Sequence, residues 1–189
     1  RAPSQLGPAL QSVLTDMYTG RGAPGALEIP IDIQYAANAS MGIQLPDNDQ
    51  FAPDESGLEL VVNALQQTQR RILLVGGGAI AAEAQGEVQA LAEQLQIPVL
   101  TTVDGRGVIP EDHPLCIGNY YNSAGMYRAI ADADLTLAIG TKFAVGVDGQ
   151  FAAQTPPGEL VHIDIDSNIV GRTHRAHIGL VADAKLALQ

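Results

Sequence analysis

The sequence predicts an α/β fold: a three-layer, mostly parallel, doubly wound sheet with helices on both faces. Three observations carry this expectation. Apolar runs of strand length stop abruptly at glycine or aspartate, as in Ile72–Val75 before Gly76, Leu135–Ile139 before Gly140, and Leu160–Ile165 around Asp164. Such continuous runs mark strands buried on both faces, which is the habit of parallel sheets. Between the first two runs, Ile80, Ala84, Val88, Leu91 and Leu95 recur every three or four residues, the period of a helix.

Composition bounds the rest. The chain has 189 residues, 46% of them hydrophobic, with 10 Lys+Arg against 21 Asp+Glu and a net charge of −11. That apolar content can build a sizeable core. With no basic cluster, nucleic acid and anionic membrane are poor partners. No run of about 18 apolar residues or signal-peptide pattern occurs. Cys116 is the only cysteine, which excludes an internal disulfide and a multi-thiolate metal site and suggests a reducing, cytoplasmic setting. Cys116 reads as a small buried hydrophobe beside a strand. The chain opens at Arg1 rather than Met, as a piece of a longer protein would, and as tag removal or processing would equally leave it.

Taken in order, Leu6, Leu10, Val13, Leu14 and Met17 form a helical stripe over residues 5–18. Gly20 to Gly25 ends it, and Ala26–Ile29 predicts a short strand closed by Pro30. One helix and one strand cannot cover their own apolar faces, so residues 1–37 predict the last αβ unit of another sheet. Residues 38–56 are rich in Asn, Asp, Pro and Ser without periodicity, the composition of a linker. The main domain then spans 57–189. Ser56-Gly-Leu-Glu59 has capping-box spacing and predicts a helix through Gln69 with Leu58, Val61, Val62 and Leu65 inward. After the glycine turn, further strands are expected at 97–102, 135–139, 160–165 and 179–181. Helices are expected at 123–131, after the Asp166-Ser167 pair, and from Ala182 onward.

The strand ends define one edge, the place where open α/β sheets bind ligands. Gly76-x-Gly78-x-x-Ala81 matches a dinucleotide turn in the right strand–turn–helix context. A triple glycine, however, satisfies several spacings at once, and tight strand–helix packing is the favoured reading of it over a nicotinamide-type site. The acid expected about 20 residues on is replaced by Thr101 and Thr102. Asp164 and Asp166 flank Ile165 and could accept ribose or adenine hydrogen bonds, or cap the next helix. His162, His174 and His177 lack acidic or thiolate partners at ligand spacing. No nucleophile elbow or P-loop lysine is present.

Together, Arg71-Ile-Leu-Leu-Val-Gly-Gly-Gly78, Ile97-Pro-Val-Leu-Thr-Thr102 with Gly105-Arg-Gly107, Asp134–Gly140 continuing into Thr141-Lys-Phe143, Val161-His-Ile-Asp-Ile-Asp166-Ser167 and Ala182-Asp-Ala-Lys-Leu-Ala187 carry a resemblance. They resemble the central domain of thiamine diphosphate-dependent enzymes of the acetolactate synthase type, a Rossmann-like, DHS-like NAD/FAD-binding fold. Gly25–Ile33 resembles the final strand of the preceding pyrimidine-binding domain.

The resemblance implies that this piece is non-catalytic and holds no metal. Thiamine diphosphate and Mg²⁺ would be bound by flanking pyrimidine- and diphosphate-binding domains, since Asp104-Gly105 and Asp148-Gly149 each follow valine rather than completing Gly-Asp-Gly. The whole enzyme would be a dimeric or tetrameric lyase or transferase acting on 2-oxo acids or related acyl donors. The domain would serve as scaffold and could seat FAD or ADP. Contacts would fall on Gly76, Gly77, Gly78, Thr101, Thr102, Gly140, Thr141, Lys142, Phe143, Asp164, Ile165, Asp166 and Asp183. Against FAD, the arginine of flavin-binding relatives is matched by Gly146, and Lys142 lacks the planar guanidinium fork. The alternative from another class is a stand-alone NAD-binding domain of an oxidoreductase or sirtuin-like protein.

Overall fold

Arg71–Val75 (β1) lies at the centre of a sheet because its four apolar residues can be covered on both sides; Leu73, Leu74 and Val75 are fully buried. The computed structural model describes residues 2–36, 42–46, 51–119, 128, 130–143 and 155–189. The expected helix at 123–131 falls almost wholly outside the described residues, as do Gly146 and parts of the linker. Contacts divide the chain into two compact units, Arg1–Gln50 and Phe51–Gln189.

In the first unit, α1 (Leu6–Tyr18) follows a 3-10 turn at Pro3–Gln5, and the short α2 spans Ile31–Gln34. None of these elements contains a buried residue. Ala26–Ile29 is not a strand. A strand needs a neighbour to satisfy its backbone groups, and none pairs with it among the described residues. Gln11 ties the unit together, donating to the Gln44 carbonyl at 2.7 Å and accepting from its amide at 3.0 Å.

The second unit continues with α3 (Glu55–Gln67), β1, α4 (Gly77–Ala81), α5 (Gln85–Leu95), β2 (Val99–Thr101), β3 (Cys116–Asn119), β4 (Leu135–Ile139), β5 (Glu159–Asp164), β6 (Ile178–Val181) and α6 (Ala184–Leu188). The strands form one six-stranded sheet in the order β3-β2-β1-β4-β5-β6, with every pairing parallel. Alternate residues of each strand feed two cores. Leu73, Val75, Leu137, Ile139, Val161 and Ile163 join residues of α3 and α5 on one face, while Ile72, Leu74, Leu100, Ala138 and Leu160 gather with Ile130 and Phe143 on the other.

Four local expectations are corrected. The cap of α3 is Asp54, two residues before the predicted one; it accepts from the Gly57 amide at 2.7 Å and from the Ser56 hydroxyl at 2.6 Å. Val62 is 48% exposed, because the buried stripe of α3 runs through Val61 and Leu65. The helix predicted after the glycines is broken: the amides of Glu83 and Ala84 donate to the carbonyls of Ile80 and Ala79, and Glu83 takes φ +53°. This is a Schellman-type stop with glutamate in the left-handed position. After β5, residues 167–170 form turns instead of the expected helix. The edge strand β3 was not anticipated at all.

Candidate functional site

Because all six strands run the same way, Gly76, Thr101, Gly140 and Asp164 lie along one carboxyl rim. The strand order reverses between β1 and β4, the switch point where a crevice normally opens. Here that crevice is filled by backbone. The Gly76 amide donates to the Ile139 carbonyl at 2.8 Å and the Gly78 amide to the Gly140 carbonyl at 2.9 Å. A Cβ on Gly76 would lie 2.3 Å from the Gly140 oxygen, and one on Gly78 would lie 2.7 Å from the Gly140 Cα. Gly140 itself sits at φ +59°, a conformation L side chains rarely adopt. The glycines therefore let two strand ends approach each other. Gly77 meets the β2 side of the rim, where its Cβ would lie 2.9 Å from that of Asp104.

The acids are likewise engaged with their own backbone. Asp164, 3% exposed, accepts from the Asp166 amide at 3.0 Å. Asp166 accepts from the amide and side chain of Asn168 at 2.9 and 3.1 Å. Asp183 caps α6, taking the amides of Lys185 and Leu186 at 2.9 and 3.1 Å. Ile165, between the two acids, is half-buried. Thr102 belongs to the turn after β2, where its hydroxyl accepts from the Gly105 amide at 3.2 Å.

Beyond β4, Thr141, Lys142 and Phe143 are pinned to the β5 side. His162, buried in β5, places Nε2 at 2.8 Å from the Thr141 carbonyl, while its Nδ1 accepts from the Gly171 amide at 3.1 Å. The proton of the neutral ring thus resides on Nε2. The Thr173 hydroxyl donates to the Lys142 carbonyl at 3.0 Å. Phe143 takes φ +51° and packs edge-on against His162 and His174, with ring centroids 5.2 and 4.9 Å apart. Burial pushes His162 below the ordinary histidine value, outweighing the Thr141 hydrogen bond and the Asp164 charge. Burial lowers His174 in the same direction.

The rim thus brings all the predicted residues except Asp183 onto the ends of four neighbouring strands, β2, β1, β4 and β5, with Asp183 at the outer end beyond β6. Sequence reasoning missed the neighbouring cleft of about 330 Å³, lined by Thr101, Arg106, Ile109, Glu111, Cys116 and Asn119 among others. Its signal was weak, since it depends on the unanticipated β3. Among the described residues no group of three His, Cys, Asp or Glu side chains could hold a metal ion.

Residues 58–189 match the family model for the thiamine pyrophosphate enzyme central domain. The chain belongs to that family. Relatives of this central-domain chain include the acetolactate synthase large subunit of Parasynechococcus marenigrum, 30% identical over 100% of this chain and 32% of that protein. Glyoxylate carboligase of Escherichia coli O157:H7 is 34% identical over 95% of this chain and 31% of its own length. The crystal structure of benzoylformate decarboxylase from Polynucleobacter necessarius superposes with a TM-score of 0.79 at 23% identity, over 99% of this chain and 36% of that one. The central-domain chain spans about a third of the length of the curated relatives it matches.

Proposed function

We propose that this chain is a non-catalytic scaffold within a thiamine diphosphate- and Mg²⁺-dependent enzyme acting on 2-oxo acids or related acyl donors. The observation that supports this reading is the state of the rim: the amides of Gly76 and Gly78, the carboxylates of Asp164, Asp166 and Asp183, and both nitrogens of His162 bind the chain itself. Groups so engaged are poor acids, bases or nucleophiles, because any reaction would first break the fold's own hydrogen bonds.

Thiamine diphosphate and Mg²⁺ do not fit here. Asp104 packs against Gly77, and the described residues offer no metal-binding trio. They belong on flanking pyrimidine- and diphosphate-binding domains of the same polypeptide, in our reading residues 1–37 being the tail of the first and 38–56 the connection to 57–189. The complete enzyme is then a dimer or tetramer, which light scattering on the full-length protein would measure.

FAD or ADP fits part of the rim. The glycine turn leaves little for a diphosphate, whereas the cleft beside Thr101 has the size of a small-ligand pocket, at the lower end of roughly 300–1,000 Å³. A nucleotide would lie across Gly77, Thr101 and Thr102 toward Arg106. When bound, FAD would act structurally.

The decisive experiment incubates the 189-residue chain with thiamine diphosphate, Mg²⁺ and pyruvate, glyoxylate or benzoylformate. No turnover is expected, and a rate comparable with complete enzymes would overturn the scaffold reading. Calorimetry with FAD, ADP and NAD tests the rim separately. Micromolar NAD binding without FAD or ADP binding would favour the stand-alone NAD-binding alternative.

A further inference from the structure

We propose that His162 is an acid-labile pin: protonation of its Nδ1 releases Gly171 and frees the β5–β6 connection from the β4 end of the rim. The geometry requires a neutral ring. Nε2 donates to the Thr141 carbonyl at 2.8 Å, so Nδ1 is the atom that receives the Gly171 amide at 3.1 Å. A second proton on the ring would set two donors against each other at that distance, and the Gly171 contact would be lost while the Thr141 bond could persist.

What the pin holds is strained. Phe143 is a bulky residue in the left-handed region, 2% exposed. Such a conformation persists only where its surroundings over-determine it. Those surroundings are the rings of His162 and His174, the Thr141 hydroxyl, which accepts from the Phe143 amide at 3.2 Å, and the Thr173 hydroxyl on the Lys142 carbonyl. Two of these supports, His174 and Thr173, sit on the connection that Gly171 anchors.

The charges that act on His162 come from two elements. Asp164, on its own strand, favours the imidazolium, and His174, on the β5–β6 connection, opposes it. Its register neighbours are Ala138 on β4 and Gly179 on β6, neither of them ionisable. Lys142 beside Thr141, and Arg172 and Arg175 on the connection, are exposed. Burial is the largest influence and favours the neutral ring, so release occurs on the acid side of the ordinary histidine range.

The test is amide hydrogen exchange with parallel imidazole NMR on the 189-residue chain, between about pH 7.5 and about pH 5. Near neutrality the ring should carry its proton on Nε2. As it titrates, protection at Gly171 should fall by about tenfold or more relative to Leu137 in the core. In H162N the amide oxygen can receive Gly171 without titrating, and Gly171 protection should stay level over the same range. A proton on Nδ1 in the neutral ring, unchanged Gly171 protection through the titration, or Gly171 opening only together with Leu137 would each overturn the proposal. The unaltered chain decides the matter even where H162N does not fold.

Discussion

The two units carry similar amphipathic stripes and meet different fates. In the second unit α3 buries Val61 and Leu65 against the sheet, and all five residues of β4 are buried. In the first, the thirteen residues of α1 include Leu6, Leu10, Val13, Leu14 and Met17, yet none is buried. Pattern alone does not remove surface from water. An apolar stripe stabilises a fold only where a second layer covers it, at roughly 25 cal/mol per Å² covered. The sheet supplies that layer after residue 57; within Arg1–Gln50 the described elements, α1, the short α2 and the unpaired segment 26–29, do not.

This contrast can be broken or sharpened by substitution, with urea unfolding as the measure. The largest effect is expected at the rim of the second unit. Gly140→Ala places a Cβ 2.6 Å from the Ala79 nitrogen at φ +59°, combining a backbone clash with an unfavourable conformation. A loss on the order of 4 kcal/mol or more should follow, and a loss under about 1 would mean that the two strand ends are not in contact. Next comes Leu137→Ala in the middle of β4, expected to cost about 2–5 kcal/mol. The matching change in the first unit, Leu10→Ala, should cost less than about 1 kcal/mol, because its side chain is already partly in water. Equal losses at the two leucines would erase the contrast.

A smaller effect is expected at Asp183→Ala, which removes the cap of α6 and should cost about 1 kcal/mol, with Asp183→Asn recovering much of it. The least is expected from pH. His162 and His174 both have lowered values in the folded chain, so the unfolded chain binds more protons just below the ordinary histidine value of about 6.5. Stability is therefore full above that value and declines as pH falls toward the folded values. A melting temperature in the second unit that is level or rising from about pH 7 to about pH 5.5 would contradict this sign.

Much of the second unit was legible because its strands are long apolar runs ended by glycine or aspartate. β1, β4 and β5 follow directly from such runs, and β6 from the shorter Gly179–Val181. β3 was not legible: Cys116-Ile-Gly-Asn119 is short, interrupted by Gly118 at φ +111°, and half-buried on an edge. The break at Glu83 was hidden for a different reason. Ile80, Ala84 and Val88 keep helical spacing across it, since a Schellman stop can preserve which side faces the core. Asp54 and Ser56 are both competent caps, and only the fold selects between them.

The rim shows the same limit. Sequence placed the residues on one edge, and the family match agrees with the fold that implies. It could not reveal that Gly78 donates to Gly140, or that the Thr173 hydroxyl donates to the Lys142 carbonyl. Those facts depend on which donor lies within 3 Å, and distance between remote segments is not written in local pattern.

The strand order also sets a timetable for assembly. Arg71 at the head of the central strand pairs with Leu135, and Leu135 in turn with Glu159, so the middle of the sheet cannot close until residue 159 has left the ribosome. Loop closure of that length precedes any reward from contact and slows the search. Refolding from denaturant should accordingly be slow for a domain of this size, and the waiting β1, paired with β2 but with its β4 edge unsatisfied, is the segment most exposed to aggregation in the interval.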